Sequence, residues 1–297
     1  MKYLIFICFS FFLLSCHTPK NITETSQEVI SPVLDKKTTT SAVEQVIIKE
    51  NIAAKKDTLN PEKAAVIIKE STKKPELKKN ILAPHELWEQ LLQKNVSASG
   101  HVNYKEFKTE QLKLKTYIST LSKIYADQSF QTLSKEELLA YWINAYNAMT
   151  VDLILKNYPI KSIKDIDKPW DQRFWKLGNK WFNLNDIEHE ILRKMDEPRI
   201  HFAIVCASVS CPKLQNTAFI ASNLDTQLTN ATQEFLKDPE RNELSENTIK
   251  ISKIFQWFSK DFKKDGDIID FINQYTNVDI SAKAKKSFKD YNWNLNE

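Results

Sequence analysis

The sequence predicts an α+β fold: a helix-rich single domain with a small antiparallel sheet. Several segments place apolar residues at helical spacing behind capping residues, whereas the predicted strands are short. The 297 residues are 42% hydrophobic and 11% aromatic, which is enough to bury a sizeable core. Only three residues are glycine, and no two are close enough for a phosphate-binding loop or a dinucleotide fingerprint. Nucleotide binding of those types is therefore not expected.

The N-terminal residues 1–16 have the pattern of a secretory signal peptide. Lys2 is followed by an unbroken apolar run up to Leu14, and then by Ser15 and Cys16. The run is too short to span a bilayer, and its ending resembles the lipobox of bacterial lipoproteins, where the cysteine is acylated. We therefore expect lipidated Cys16 to anchor the protein to the cell envelope, on the periplasmic or outer-membrane side. An ordinary signal peptide or a buried helix is the alternative.

Residues 17–84 are predicted to form a disordered tether, and residues 85–297 a globular domain. The tether is rich in Lys, Thr and Glu and contains no aromatic residue, so it cannot bury enough apolar surface to offset its ordering entropy. Its excess of Lys over acidic residues accounts for most of the net charge of +4. The globular region has as many acidic as basic residues, and nucleic-acid binding is therefore not expected.

The first helices are predicted from the residues that would cap their ends. A helix is predicted after Pro84, in the segment HELWEQLLQKN. Ser134 and Glu137 form the pattern of a capping box, which opens a long apolar helix that ends before Pro159.

The later elements are shorter. A hairpin is predicted around Gly178 and Asn179. Asn185 with Glu188 is expected to cap the helix DIEHEILRKM, which Pro198 closes. The segments RIHFAIVCA and NTIKI are predicted strands, and SKIFQWFSKDF and GDIIDFINQYT are predicted amphipathic helices.

The segment HFAIVCASVSCPKL concentrates the residues best suited to chemistry. In a regular strand, His201 and Cys206 would point to opposite faces and lie about 16 Å apart, so a direct pair is excluded. Pro212 favours a helix start that would make Cys211 an N-cap, where the helix dipole stabilises a thiolate. The prediction is that Cys211 is a nucleophile with His201 or His189 as its base.

A disulfide is the alternative interpretation of the same cysteines. If the signal peptide removes Cys8 and Cys16 is acylated, Cys206 and Cys211 are the only thiols of the exported chain. Their disulfide would contribute about 2 kcal/mol in the chain-entropy model. Neither a metal site nor a cofactor is predicted, because the two cysteines lack a second ligand pair at zinc spacing.

Asn144 and Asn147 lie on one side of the long apolar helix, three residues apart. Buried amides need hydrogen-bond partners. These two could orient a catalytic imidazole, bind a substrate backbone, or tie the helix to a neighbouring loop.

Arg193 and Arg199 flank the same region as candidate clamps for a substrate carboxylate. Structural pairs with Glu188 or Asp196 are the alternative. The aromatic residues of DKPWDQRFW could form a binding rim, with core packing as the alternative.

The ordered motifs YWINAYNAMT, SIKDI, NLNDIEHEILR, PRIHFAIVCASVSCPKL and YNWNLN resemble the family of domain of unknown function 547. The resemblance extends from His85 to the C-terminus. It implies no established activity, and the family is similar across bacterial lipoproteins and larger plant and animal proteins, including intracellular ones. It therefore implies that the cysteine pair need not be a secretory disulfide. The matching positions are Trp142, Asn144, Tyr146, Asn147, Glu188, His189, Arg193, Arg199, His201, Cys206 and Cys211.

Two hypotheses from different classes follow. The first is an envelope-anchored thiol hydrolase or acyltransferase acting on a peptide-like substrate, with Cys211 as nucleophile and an asparagine as orienter. The second is a non-catalytic envelope module that binds a peptide or protein partner, with a disulfide between Cys206 and Cys211. Whether the protein is an enzyme stays open at this point.

Overall fold

The computed structural model describes residues 84–264 and 266–297. The predicted signal peptide, Cys16 and nearly all of the predicted tether lie outside the described residues. The described part has the predicted α+β fold. Its α-helices are α1 (Glu86–Asn95), α2 (Tyr104–Thr109), α3 (Gln111–Ala126), α4 (Lys135–Asn157), α5 (Leu184–Glu190), α6 (Leu224–Lys237), α7 (Ile254–Trp257) and α8 (Ile268–Asn273).

Helix α4 is the centre of the fold. The predicted capping box is present: the Ser134 side chain accepts from the Glu137 N–H, and the Glu137 carboxylate accepts from the Ser134 N–H. Every residue from Leu139 to Leu155 is buried, because the helix is apolar on all sides and is covered by α3, α5 and other segments. Within the described residues, no helix is long and apolar enough to cross a membrane.

The strands form two small sheets. The predicted hairpin is confirmed, with β1 (Trp175–Leu177) antiparallel to β2 (Lys180–Phe182) and Gly178 in the turn at φ 53°. The second sheet joins β3 (Glu243–Leu244), β4 (Thr248–Ile251) and β5 (Lys285–Phe288). Its β3–β4 pair is antiparallel and its β4–β5 pair is parallel. The predicted strand NTIKI corresponds to β4.

The prediction of a strand at 199–207 is wrong. Pro198–Phe202 forms a 3₁₀-helix, capped by the Glu197 side chain, which accepts from the Arg199 N–H. The residues that follow run without regular structure towards Cys206. The run is apolar because it is buried in the core, which periodicity alone cannot distinguish from a covered strand. The strand geometry that separated His201 from Cys206 therefore does not apply.

Two predicted caps also differ from the structure. No helix begins at Pro212, so Cys211 is not an N-cap; its N–H instead donates to the Ser208 carbonyl in a turn, at 3.0 Å. Helix α5 begins at Leu184 because Asn183 is its N-cap, in place of the predicted N-cap Asn185. Asn183 and Asp186 form the capping box. Glu188 is thereby free of a capping role.

Candidate functional site

A pocket of about 180 Å³ lies between α5, α7, the cysteine segment and the C-terminal residues. It brings together four of the predicted site residues: Cys206, Cys211, His189 and His201. Asn144, Asn147, Arg193 and Arg199 do not line it. The other lining residues are Tyr146, Trp170, Asn185, Glu188, Ile204, Val205, Pro212, Ile254, Trp257, Phe258, Tyr291 and Trp293.

Asn147 fixes the chain just before Cys206. Its side-chain amide donates to the Ala203 carbonyl at 2.9 Å, and its oxygen accepts from the Val205 N–H at 3.0 Å. One side chain of α4 thus satisfies two buried backbone groups of an irregular segment. Asn147 is a positioning residue for the cysteine loop, which is the loop-tying role considered from the sequence.

The loop from Cys206 to Cys211 is held from two further directions. The guanidinium of Arg241 donates to the carbonyls of Val209, at 2.7 Å, and Cys211, at 2.9 Å. The C-terminal segment pairs with the other side, where the N–H groups of Val209 and Ser210 donate to the carbonyls of residues 294 and 292. Ala207 has a φ of 58°, a left-handed conformation that costs a non-glycine residue about 1–2 kcal/mol.

The two cysteines are free thiols in unequal environments. Cys206 is partly exposed, and its Sγ lies within hydrogen-bond distance of the Ser208 hydroxyl, at 3.1 Å, and the Tyr291 hydroxyl, at 3.2 Å. Cys211 is buried, and its Sγ accepts from the Cys206 N–H at 2.9 Å. The loop therefore places both sulfurs side by side, with Cys206 more accessible from the pocket.

This asymmetry determines which sulfur can ionise. Burial raises the pKa of Cys206, but hydrogen bonds from Cys211, Ser208 and Tyr291 outweigh burial and lower it below its usual value. Burial and the neighbouring Cys206 raise the pKa of Cys211 well above its usual value. Burial likewise raises the pKa of Tyr291, which stays protonated as a donor. The geometry therefore favours Cys206 as the thiolate, in contrast to the predicted nucleophile Cys211.

His201 is paired with a carboxylate that the sequence analysis did not identify. Its Nε2 lies 2.8 Å from Asp261 Oδ2, and its ring stacks on Phe258 at 4.1 Å between centroids. Burial alone would raise the pKa of Asp261, but hydrogen bonds from His201 and Arg193 hold it well below its usual range. Since the carboxylate accepts from Nε2, the neutral imidazole keeps its lone pair at Nδ1. This Nδ1 is buried and has no hydrogen-bond partner in the described part of the chain.

The second histidine of the pocket, His189, is tied to Arg193. The Arg193 guanidinium lies 3.1 Å from His189 Nδ1 and makes two hydrogen bonds to Asp261, at 2.6 and 3.0 Å. Arg193 thus contacts His189 directly and is linked to His201 through Asp261. Among the described hydrogen bonds, none joins either histidine directly to a cysteine. Both histidines and both cysteines nevertheless line the same pocket.

Glu188 contributes a carboxylate to the pocket. It is 7% exposed, and its Oε2 accepts from the Tyr146 hydroxyl at 2.9 Å. Burial and the charge of Glu188 raise the pKa of Tyr146 well above its usual value, so the phenol remains the donor. No salt bridge to Glu188 is found in the described residues.

The walls of the pocket are aromatic. Trp257, Tyr291 and Trp293 contact one another with ring centroids 4.5 to 5.7 Å apart. Trp170 meets Trp293 edge to face at 6.0 Å. Trp170 belongs to the segment that was considered as a binding rim.

The remaining predicted site residues have structural partners. The side chain of Asn144 bonds to the N–H and the carbonyl of Phe219, at 3.0 and 2.8 Å. Arg199 is held by Glu197 through two bonds, at 2.8 and 2.7 Å, and by Asp225 at 2.9 Å. These bonds lie away from the pocket, and a substrate-binding role for either residue stays a prediction.

Asp261, Ser208 and Arg241 are the site residues that the sequence analysis missed. Each is one polar residue among many of its type, in a segment predicted as helix or loop, so no sequence signal distinguished it. Tyr291 and Trp293 had a signal, because they lie in the terminal motif YNWNLN. Within the described residues, no group of three His, Cys, Asp or Glu side chains is arranged to hold a metal ion.

Comparison with known proteins gives one match. Residues 130–236 match the model of the family described as "Protein of unknown function, DUF547". The chain resembles this family over those residues; the predicted resemblance from His85 to the C-terminus is wider than this match, and the motif YNWNLN lies outside it. The match includes Asn147, Glu188, both pocket histidines and both cysteines, and it ends before Asp261 and Tyr291. No curated protein and no solved structure matches the chain.

Proposed function

We propose that the protein is a thiol hydrolase or acyltransferase that acts on a peptide-like substrate from a lipid anchor in the bacterial cell envelope. Cys206 is the nucleophile, in place of Cys211, and His201 is the general acid and base. The observation that carries the proposal is that His201, held by Asp261 at 2.8 Å, lines the same pocket as a thiol with a lowered pKa. Nucleophile, base and orienting carboxylate are the three parts that this chemistry requires.

The proposed reaction has two steps. In the first, the Cys206 thiolate forms a bond to the substrate carbonyl carbon, and the leaving group departs with a proton from protonated His201. In the second, water or another acceptor attacks the thioester and gives its proton to His201 Nδ1, and sulfur leaves as thiolate. Asp261 stabilises the imidazolium that is present before the first step and forms again in the second. The hydroxyls of Ser208 and Tyr291 are available donors beside the reacting sulfur.

Cys211 has a supporting role in this proposal. Its pKa is raised, so it keeps its proton and donates to Cys206. The anchor at Cys16 rests on the sequence of residues 1–16 alone, and incorporation of a labelled fatty acid that is lost in Cys16→Ser tests it.

Acylation by p-nitrophenyl acetate tests the thiol chemistry, with the acetylated residue located by mass spectrometry of the full chain. We expect the acetyl group on Cys206, no acetylation of the pocket in Cys206→Ser, and retained acetylation in Cys211→Ser. His201→Gln should slow the hydrolysis of the acetyl group from Cys206 by about 100-fold or more, because His201 is the general base of the second step. His85→Gln is the matched control, because His85 is a buried histidine that bonds to Tyr117, at 2.7 Å, outside the pocket.

Acetylation of Cys211 alone would contradict the proposal. Equal rates of acetyl hydrolysis in His201→Gln and in the unaltered protein would contradict it as well. A Cys206–Cys211 disulfide in the exported protein, with no acetylation after reduction, would favour the binding module instead.

A further inference from the structure

The pocket has a charge composition unlike that of the domain around it. No Lys or Arg lines it, whereas its lining includes the carboxylate of Glu188 and the thiol that ionises most readily. The guanidinium of Arg193, which contacts the lining residue His189, is paired with the Asp261 carboxylate through two hydrogen bonds. With neutral imidazoles, the group formed by Glu188, Asp261 and Arg193 carries a net charge of −1.

Glu188 is buried and forms no salt bridge within the described residues, although its charge acts on Arg193 nearby. One carboxylate oxygen accepts from Tyr146, and the other has no hydrogen bond within the described residues. A buried carboxylate is costly unless it is paired, so an unpaired one facing a cavity marks a place where a ligand can supply the missing positive charge. His201 also lines this pocket, and its buried Nδ1 has no hydrogen-bond partner within the described residues.

The aromatic walls of the pocket also favour a positively charged ligand. Trp170, Trp257 and Trp293 line the same cavity as Glu188, and tryptophan is the strongest side chain for cation–π attraction. Within the domain itself, the ammonium of Lys164 lies 4.4 Å from the centroid of the Trp293 ring. A cation entering the pocket would therefore gain both a counter-charge and aromatic faces.

We propose that Glu188 and the aromatic walls form the subsite for an alkylammonium group, such as the side-chain ammonium of a peptide lysine, which serves as the acyl acceptor. In this role the subsite rests on the proposed thiol chemistry. The ammonium first loses a proton to His189, and the amine nitrogen then forms a bond to the acyl carbon of the Cys206 thioester. The C–S bond breaks, its electron pair stays on sulfur as thiolate, and the second nitrogen proton passes to His201 Nδ1. The product is an amide; His189 returns its proton to solvent, and His201 keeps its proton for the next cycle.

The subsite is tested by titrating the full chain with n-butylammonium and measuring tryptophan fluorescence. The neutral ligand 1-butanol is the control. The Cys206→Ser variant is used as well, so that binding is measured without chemistry. We expect butylammonium to bind more tightly than 1-butanol, and Glu188→Gln to weaken butylammonium binding about tenfold or more. Trp257→Leu should weaken it about threefold; Trp257 is 45% exposed, so the variant should still fold. Glu136→Gln, at an exposed position of α4, is the control and should change nothing.

Equal binding of butylammonium and 1-butanol, or unchanged affinity in Glu188→Gln, would overturn the subsite. Loss of binding in Cys206→Ser but not in Glu188→Gln would also overturn it, because the thiolate would then be the counter-charge. Glu188-dependent binding in a protein that p-nitrophenyl acetate does not acetylate would leave the cation site in place and remove the thiol chemistry. The two failures are therefore distinguishable.

Discussion

The two buried asparagines of helix α4 and the polar groups of the pocket differ in how completely they are hydrogen-bonded. On α4, Asn144 and Asn147 each satisfy one backbone N–H and one carbonyl of a neighbouring segment. In the pocket, His201 Nδ1 has no partner and Glu188 has only one. Ala207 beside the cysteines is strained as well. Burial is similar in the two regions, so burial alone does not mark a functional residue. Unused hydrogen-bonding capacity separates these pocket groups from the two asparagines, but Thr150 Oγ1 and Asp152 Oδ1 of α4 also lack partners, so it does not mark function on its own.

The largest expected effect separates the two asparagines. Both Asn147→Ala and Asn144→Ala should destabilise the fold by about 3 kcal/mol, because each leaves a buried N–H and a buried carbonyl unpaired. Only Asn147→Ala should also move the pH midpoint of Cys206 alkylation up towards the ordinary cysteine value, since it releases the segment that leads to Cys206. Urea unfolding and iodoacetamide labelling at a series of pH values measure the two quantities. An equal shift of the midpoint in Asn144→Ala would break the comparison.

A smaller effect is expected at Asp261. Asp261→Asn should cost about 2 kcal/mol at neutral pH, because it weakens hydrogen bonds to His201 and Arg193. The folded-state pKa of Asp261 is lowered, so its stabilisation is present above the unfolded pKa near 4 and is lost as the pH falls further. The difference in unfolding free energy between the two proteins should therefore shrink below about pH 4. A constant difference from pH 7 to pH 3 would show that the charge of Asp261 is not the cause.

The smallest effect concerns the strained loop. Ala207→Gly should stabilise the protein by about 0.5–1 kcal/mol, since glycine adopts the left-handed region without the steric cost that alanine has there. Ala98→Gly, at a residue without positive φ, should destabilise it by a similar amount. Thermal unfolding of both variants measures the difference in sign. Destabilisation by Ala207→Gly would mean that the loop is not strained at this residue.

The sequence predicted those parts of the fold that depend on local patterns. The capping box of α4, the hairpin around Gly178 and the strand β4 follow from residues within a few positions of each other. The 3₁₀-helix Pro198–Phe202 was missed, because a buried apolar run has the same pattern whether it forms a strand or an irregular segment. The predicted helix start at Pro212 failed for a similar reason: the contacts that shape the loop come from Arg241 and the C-terminal segment, far along the chain.

The sequence by itself determined the α+β class, the central buried helix and the concentration of thiol and imidazole groups in one motif, because composition, periodicity and caps act over short distances. The tertiary structure alone decided which groups share a pocket. It placed Asp261 on His201, Tyr291 on Cys206 and Tyr146 on Glu188, pairs separated by 60, 85 and 42 positions. The pKa of a thiol is set by burial and by the donors around it, and those donors come together only when the chain folds.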